Sequence, residues 1–307
     1  MATSDAGTRR RAVLAVRRTK KGALAGFHGR ASGVITEIPD CRLLDPALLA
    51  GLPLAEALAI AGASRKGELN VTLTKSDGGL DVAVEGGKPL DGPLQIALAQ
   101  LAEQHDIARI AWSSETVAMR RPAAQSFGRV DVVPPPGAFL QATPEGEAAL
   151  RADVLEIVRD ARRVADLFAG CGTFALPLAE KAEVHAVEGS ADMIRAMDRG
   201  WRETQGLKRV TGEARDLFRR PLLADELARF DAVVIDPPRA GAEAQIAELA
   251  SALVPLIAHV SCNPLTFARD ARRLCDAGYR LNRLRVVDQF RWSVHTELVA
   301  AFSLGGD

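Results

Sequence analysis

Three short runs in the second half of this 307-residue chain carry side chains whose type and spacing can do chemistry. Val260-Ser261-Cys262-Asn263-Pro264 offers a thiol, which becomes a nucleophile once it loses its proton. Asp236-Pro237-Pro238-Arg239, 26 positions earlier, offers a carboxylate followed by two prolines that fix the chain. Asp166-Leu167-Phe168-Ala169-Gly170-Cys171-Gly172 offers a glycine turn, where backbone lacking Cβ atoms can lie against a nucleotide-like ligand. A later run over 288–297 ends in Glu297, an acid able to serve as a base. Each has a bland reading when taken singly: Cys262 a buried structural thiol, Glu297 a solvent-facing strand acid, Asp166 a cap partner. Together they propose an enzyme.

The elements that must position these groups follow from the patterning. Apolar strands at 164–168, 184–187, 232–235 and 257–260 alternate with helical stretches at 174–182, 191–205, 244–253 and 267–277. Such alternation predicts an α/β domain with a mostly parallel sheet covered by helices on both faces. Ligands in such sheets bind outside the carboxyl ends of the strands, and Asp166, Glu188, Asp236 and Cys262 all fall at or close to those ends. Upstream the pattern changes to short β-prone runs at 12–16, 33–38, 69–73, 80–84 and 107–111, with helical stretches at 54–61 and 94–104. A hairpin is expected around Ser76-Asp77-Gly78-Gly79, so this part reads as a smaller N-terminal α+β domain. Val132-Val133-Pro134-Pro135-Pro136-Gly137 disfavours both helix and central strand, which places the boundary between domains 1–133 and 134–307.

Bulk composition narrows the class. A hydrophobic fraction of 48% and a charged fraction of 25% are ordinary for a globular protein, and no apolar run approaches the roughly 20 residues of a membrane helix. A cytoplasmic monomer without a membrane partner is expected. Cys41, Cys171, Cys262 and Cys275 are scattered without a C-x-x-C pair, so neither a zinc site nor a disulfide framework is suggested. Residues 1–30 hold eight Lys/Arg against one acid, Asp5, a density that can neutralise phosphates of a nucleic acid or form a solvated basic arm. The arginines of 269–285 admit contact with an RNA backbone or a place on the exposed face of a helix and following strand.

The glycine turn lacks the third glycine of a dinucleotide fingerprint, with Ala175 near that place, a permitted variant that leaves a nicotinamide cofactor open. The acid before the turn, Asp166, suits a cationic or amino-acid-bearing cofactor better than a pyrophosphate, and Glu188 can accept hydrogen bonds from ribose hydroxyls. The combination Asp-x-Phe-x-Gly-x-Gly followed by an acid resembles the cofactor site of class I (Rossmann-like) S-adenosylmethionine-dependent methyltransferases, and that resemblance supplies the cofactor. In amine methyltransferases of this kind a run related to Asp236-Pro237-Pro238 ends in an aromatic residue. Here Arg239 follows, which argues against amine methylation and directs attention to Cys262. Pyrimidine C5 is too weak a nucleophile to take a methyl group unaided, so a thiolate must first add at C6, and a base must later remove the C5 proton.

With those runs in order, the chain resembles the bacterial RNA 5-methyluridine methyltransferases that modify tRNA or 23S ribosomal RNA. The matching runs are Phe139-Leu140-Gln141, 166–174, Val187-Glu188-Gly189, 236–241, 261–270 and 288–297. The resemblance implies Cys262 as nucleophile and Glu297 as base. It places Gln141, Phe168, Gly170, Gly172, Thr173, Glu188, Asp216 and Asp236 at or near the cofactor. Departures accompany it. Many family members carry an N-terminal OB-type RNA-binding domain and an iron–sulfur cluster on three close cysteines plus a distant one. This chain is expected to begin after that domain and those three cysteines, with only Cys41 at the distant position, so no cluster is expected in it. The Gln-Val-Asn run is altered to Gln141-Ala142-Thr143, and His295 lies just before Thr296, changes that bear on substrate choice. An amine methyltransferase of the same fold and a non-catalytic RNA-binding module remain the alternatives.

Overall fold

The computed structural model describes residues 1–305. Its contacts divide the chain into two compact units: Asp5–Gln125 with Val133–Pro144, and Met1–Ser4 with Ser126–Val132 and the chain from Glu145 onward. This differs from a single cut at 133/134, for reasons local to each crossing. The short paired strands Gln125–Phe127 and Val130–Val132 bury Val130 and Val132 on helix Ala191–Glu203. The approach is close enough that a Cβ on Gly200 would lie 2.8 Å from the Asp131 carbonyl. The prolines that follow lead the chain back, and there Arg10 and Arg11 donate to the carbonyls of Gln141 and Gly137 at 3.0 and 3.1 Å.

In the smaller unit seven strands run in the order Ile35–Glu37, Ala23–His28, Arg11–Arg18, Glu68–Ser76, Gly79–Glu85, Arg109–Trp112 and Glu115–Met119. Neighbours are antiparallel except Gly79–Glu85 with Arg109–Trp112, as the expected α+β reading requires of a hairpin-rich sheet. Helices Leu52–Gly62 and Gly92–Gln104 cover it through Leu54, Leu58 and Leu98, all fully buried. The basic N-terminal segment is partly built into the sheet: it forms the inner strand Arg11–Arg18 and Arg10 is buried, while Arg17, Arg18, Lys20, Lys21 and Arg30 are exposed.

The larger unit is built on one eight-stranded sheet, in the order Ala2–Thr3, Tyr279–Asp288, Glu297–Leu304, Leu256–Ser261, Ala232–Ile235, Arg163–Leu167, Glu183–Glu188 and Val210–Ala214. The last five are mutually parallel, and Glu297–Leu304 inserts antiparallel between Leu256–Ser261 and Tyr279–Asp288. Ala232–Ile235 is buried at every position, which explains its continuous apolar run. Helices Glu243–Ala252 and Pro264–Asp276 press Ile246, Leu249, Phe267 and Leu274 onto Val233, Ile257 and Phe302. Each such side chain contributes about 1.5–3 kcal/mol when fully removed from water. Strand order reverses between Arg163–Leu167 and Ala232–Ile235, so a crevice opens at their carboxyl ends.

Candidate active site

Five of the residues singled out in the sequence sit at that carboxyl edge. Leu167 pairs with both Val187 and Ile235, so the residues that follow, Phe168, Glu188 and Asp236, emerge at one level. Ser261 pairs with Leu298, which sets Cys262 beyond one strand end beside Glu297 at the start of its antiparallel neighbour. The reversed strand therefore delivers a carboxyl to an edge where parallel strands deliver their last residues.

The turn after Arg163–Leu167 has positive φ at Phe168, Gly170 and Gly172 (62°, 57° and 95°), the first being uncommon for a side chain of that bulk. The two glycines answer different demands. A Cβ on Gly172 would lie 2.8 Å from both Leu176 and Met197, whereas one on Gly170 would meet nothing, so Gly170 borders open space. The helix expected over 174–182 is a single turn, Ala175–Leu178, with Thr173 half-buried before it. Glu188 holds the turn: its two carboxylate oxygens accept from the N–H groups of Gly170 and Ser190, each at 3.0 Å. Asp216 lies in the loop after Val210–Ala214, where it accepts from Phe218 N–H at 3.0 Å, and the Phe218 ring stands 5.4 Å from that of Phe168. Gln141 belongs to the other unit, buried, with its carbonyl bound by Arg10.

Asp166 is fully buried, and neither of its carboxyl oxygens makes a hydrogen bond. Burial first and the Asp236 charge second push it well above the usual carboxylate range, with Glu188 adding. An orphaned buried carboxyl is costly unless something supplies a donor or a positive charge. With Glu188 and Asp236 nearby, the turn fits a ligand that brings positive charge and hydroxyl donors, which an anionic pyrophosphate would not.

Cys262, Glu297, Asp236 and Arg239 form one electrostatic group. Burial and then the Asp236 charge raise Glu297 to about 8, with Arg239 opposing. Burial, then Glu297 and Asp236, raise the half-exposed Cys262 thiol to about 11, again against Arg239. Near neutral pH the site thus holds a thiol and a mostly protonated acid. Arg239, read in the sequence only as an objection to amine methylation, is a central cation here. Its guanidinium meets His295 Nδ1 at 2.9 Å, and its carbonyl accepts from Asn263 Nδ2 at 2.9 Å. Asn263 also caps helix Pro264–Asp276 through Leu265 N–H at 3.1 Å, which fixes the residue next to Cys262. Arg239 was within reach of sequence reasoning, since it directly follows the two prolines; its link to His295 was not, because 56 positions separate them.

The arginines of 269–285 are largely engaged within the unit. Arg269 pairs with Glu243 and Asp270, Arg272 with Asp276, and both Arg283 and Arg285 with the buried Asp153. Among the described residues no group of three or more His, Cys, Asp or Glu is placed to hold a metal ion, and no helix is long and apolar enough to cross a membrane.

Five parallel strands extended by an antiparallel hairpin, with a glycine turn at the switch point, define a class I methyltransferase. The solved tRNA (uracil-54, C5)-methyltransferase of Pyrococcus abyssi, in complex with S-adenosyl-L-homocysteine, shares this fold with a TM-score of 0.73 at 23% identity, over 98% of this chain and 78% of that one. The family model for tRNA (uracil-5-)-methyltransferase matches residues 203–302. An uncharacterized RNA methyltransferase of Brucella suis is 46% identical over 298 residues, covering 97% of this chain and 72% of that protein. The 23S rRNA (uracil(1939)-C(5))-methyltransferase RlmD of Chromohalobacter salexigens is 33% identical, covering 94% and 63%. The chain belongs to the family of these RNA methyltransferases, and it is an enzyme of that class.

Proposed function

We propose that this chain methylates C5 of a uridine in ribosomal or transfer RNA through a covalent adduct at Cys262, with S-adenosylmethionine as methyl donor. The observation that carries the reading is the pairing at one sheet edge of a half-exposed thiol with a buried acid, one of whose buried carboxyl oxygens lacks a partner. Gly170, Gly172, Phe168, Thr173, Glu188, Asp216 and Asp166 would hold the donor, with Gln141 assigned to it by family resemblance; when bound it supplies an electrophilic methyl group. Its positive charge would also offset the three carboxyls around the turn.

The chain's own residues account for the remaining steps. The Cys262 thiol gives its proton to water, its thiolate Sγ adds to C6 of the uracil, and the C5–C6 electron pair moves onto C5 and the C4 carbonyl, making C5 nucleophilic. After C5 is methylated, Glu297 in its ionised form takes the C5 proton. The electrons of that C–H bond restore the C5–C6 double bond and expel the Cys262 thiolate. A buried carboxylate raised to about 8 is a stronger base than a free one, and Arg239 beside it steadies its charge. Asp236 raises both partners, and the Glu297 charge itself raises Cys262, which couples their ionisation.

The direct test is nucleoside analysis of RNA from a methyl-deficient source after incubation with the protein and S-adenosylmethionine. 5-Methyluridine from the native chain and none from Cys262→Ala is expected. Methyl groups on nitrogen, or full turnover by Cys262→Ala, would overturn the reading.

A further inference from the structure

The segment that delivers Glu297 presents an aromatic side chain with nothing to cover it. Residues 289–296 join the antiparallel strands Tyr279–Asp288 and Glu297–Leu304, and Trp292 at their tip is 70% exposed. Its neighbour Val294 is 94% exposed, and Leu265, three residues after Cys262, is 83% exposed. The other two tryptophans of the chain have indole partners: Trp112 is buried and donates to the Lys88 carbonyl, and Trp201 donates to that of Lys208.

The loop is held rather than loose. Phe290 N–H donates to Asp288 Oδ1 at 3.0 Å, Ser293 N–H to the Phe290 carbonyl at 2.9 Å, and His295 N–H to Ser293 Oγ at 3.1 Å. Arg291 reaches the Ser4 carbonyl, and His295 meets both Arg239 and the edge of the Phe290 ring. Trp292 itself has φ of 63°, a left-handed backbone that bulky side chains seldom adopt. The same Arg239 that binds His295 binds Asn263 beside Cys262, so the loop carrying Trp292 and the loop carrying the thiol share one anchor.

We infer that Trp292 is a stacking platform for an unpaired RNA base next to the target uridine, with Val294 and Leu265 as its apolar flanks. The inference rests on the reading of Cys262 and Glu297 as the reaction centre. A uracil can reach a half-exposed thiol only when turned out of its stack, and the neighbour left behind exposes an aromatic face. Indole faces bind such bases irrespective of sequence, and guanidinium and imidazole groups like those of Arg291, Arg239 and His295 suit the phosphates alongside.

The test uses a single-stranded, uridine-rich RNA of about twelve nucleotides, titrated into the native protein, Trp292→Phe and Trp292→Ala. Tryptophan fluorescence of the native protein should be quenched on binding, and this quenching should vanish in Trp292→Phe while its affinity persists, because phenylalanine still stacks. Trp292→Ala should bind roughly 5- to 150-fold more weakly and show a raised KM for methylation. Quenching that survives in Trp292→Phe, or native affinity and KM in Trp292→Ala, would overturn the inference. If quenching follows Trp292 but no 5-methyluridine forms, the platform stands and the proposed chemistry fails; 5-methyluridine formed at native KM by Trp292→Ala means the reverse.

Discussion

Replacing Glu297 by Gln removes one of the two negative charges that bear on the Cys262 thiol, and the titration of that thiol reports how closely the pair is joined. A thiol raised from 9.0 to about 11 has, at any pH well below both values, roughly 100-fold less thiolate than a free one. The pH dependence of iodoacetamide alkylation at Cys262, followed by peptide mass spectrometry, measures this without RNA or cofactor. In the native chain the rate should still be climbing about tenfold per pH unit at pH 9 to 10. Glu297→Gln should shift the curve toward lower pH and speed alkylation at pH 9, where Glu297 is ionised in the native chain. Burial is the first cause of the shift, so the variant should recover only part of it. A native midpoint at or below 9, or a midpoint unmoved by Glu297→Gln, would refute the proposed coupling.

Three further outcomes follow from other parts of the molecule. His259 is fully buried against Phe267 and Phe302 with neither ring nitrogen bonded, and burial lowers it to about 4. Because the folded value lies below the ordinary 6.5, stability falls as pH drops from 6.5 to 4, by on the order of 3 kcal/mol, and His259→Leu should abolish that loss when urea unfolding is compared at pH 7.5 and 4.5. Arg109 grips Asp81 with two bonds of 2.8 and 2.7 Å in the buried sheet of the smaller unit, so Asp81→Ala should cost about 3–5 kcal/mol in unfolding by urea. Ala2 and Thr3 pair with Val287 and Asp288, and Ser4 binds both Asp288 and Arg291. Deleting residues 1–4 should therefore raise hydrogen exchange in 288–296 and slow methylation, while leaving exchange in Ala232–Ile235 unchanged.

Much of the larger unit was legible because parallel strands buried on both faces read as plain apolar runs. Ala232–Ile235 appears with the expected bounds, and Leu256–Ser261 extends its expected run by one residue at each end. Val210–Ala214 was not seen: Gly212 and Glu213 interrupt its apolar pattern, as an edge strand allows. Tyr279–Asp288 was legible only as one of two readings of its arginines at 280, 283 and 285, two of which are sited by ion pairs to Asp153, 130 or more positions away. The glycine turn, the thiol and the two acids were readable as residue types in order. Their electrostatic union was not, because it depends on a reversed strand bringing Glu297 beside Cys262 and on Arg239 lying between them in charge. The basic N-terminus hid a strand for a related reason: Arg11–Arg18 places arginines at its ends, where Arg17 pairs with Glu68.

The central claim, a covalent bond between Cys262 and uracil C6 during methylation at C5, has one most direct measurement. RNA containing 5-fluorouridine is incubated with the protein and S-adenosylmethionine, and the products are digested and analysed by mass spectrometry. Fluorine at C5 cannot be removed by Glu297, so the adduct should accumulate as a methylated fluorouridine nucleotide linked to the peptide carrying Cys262. Continued methylation of ordinary uridine RNA, with no adduct at Cys262 from the fluorinated RNA, would contradict it.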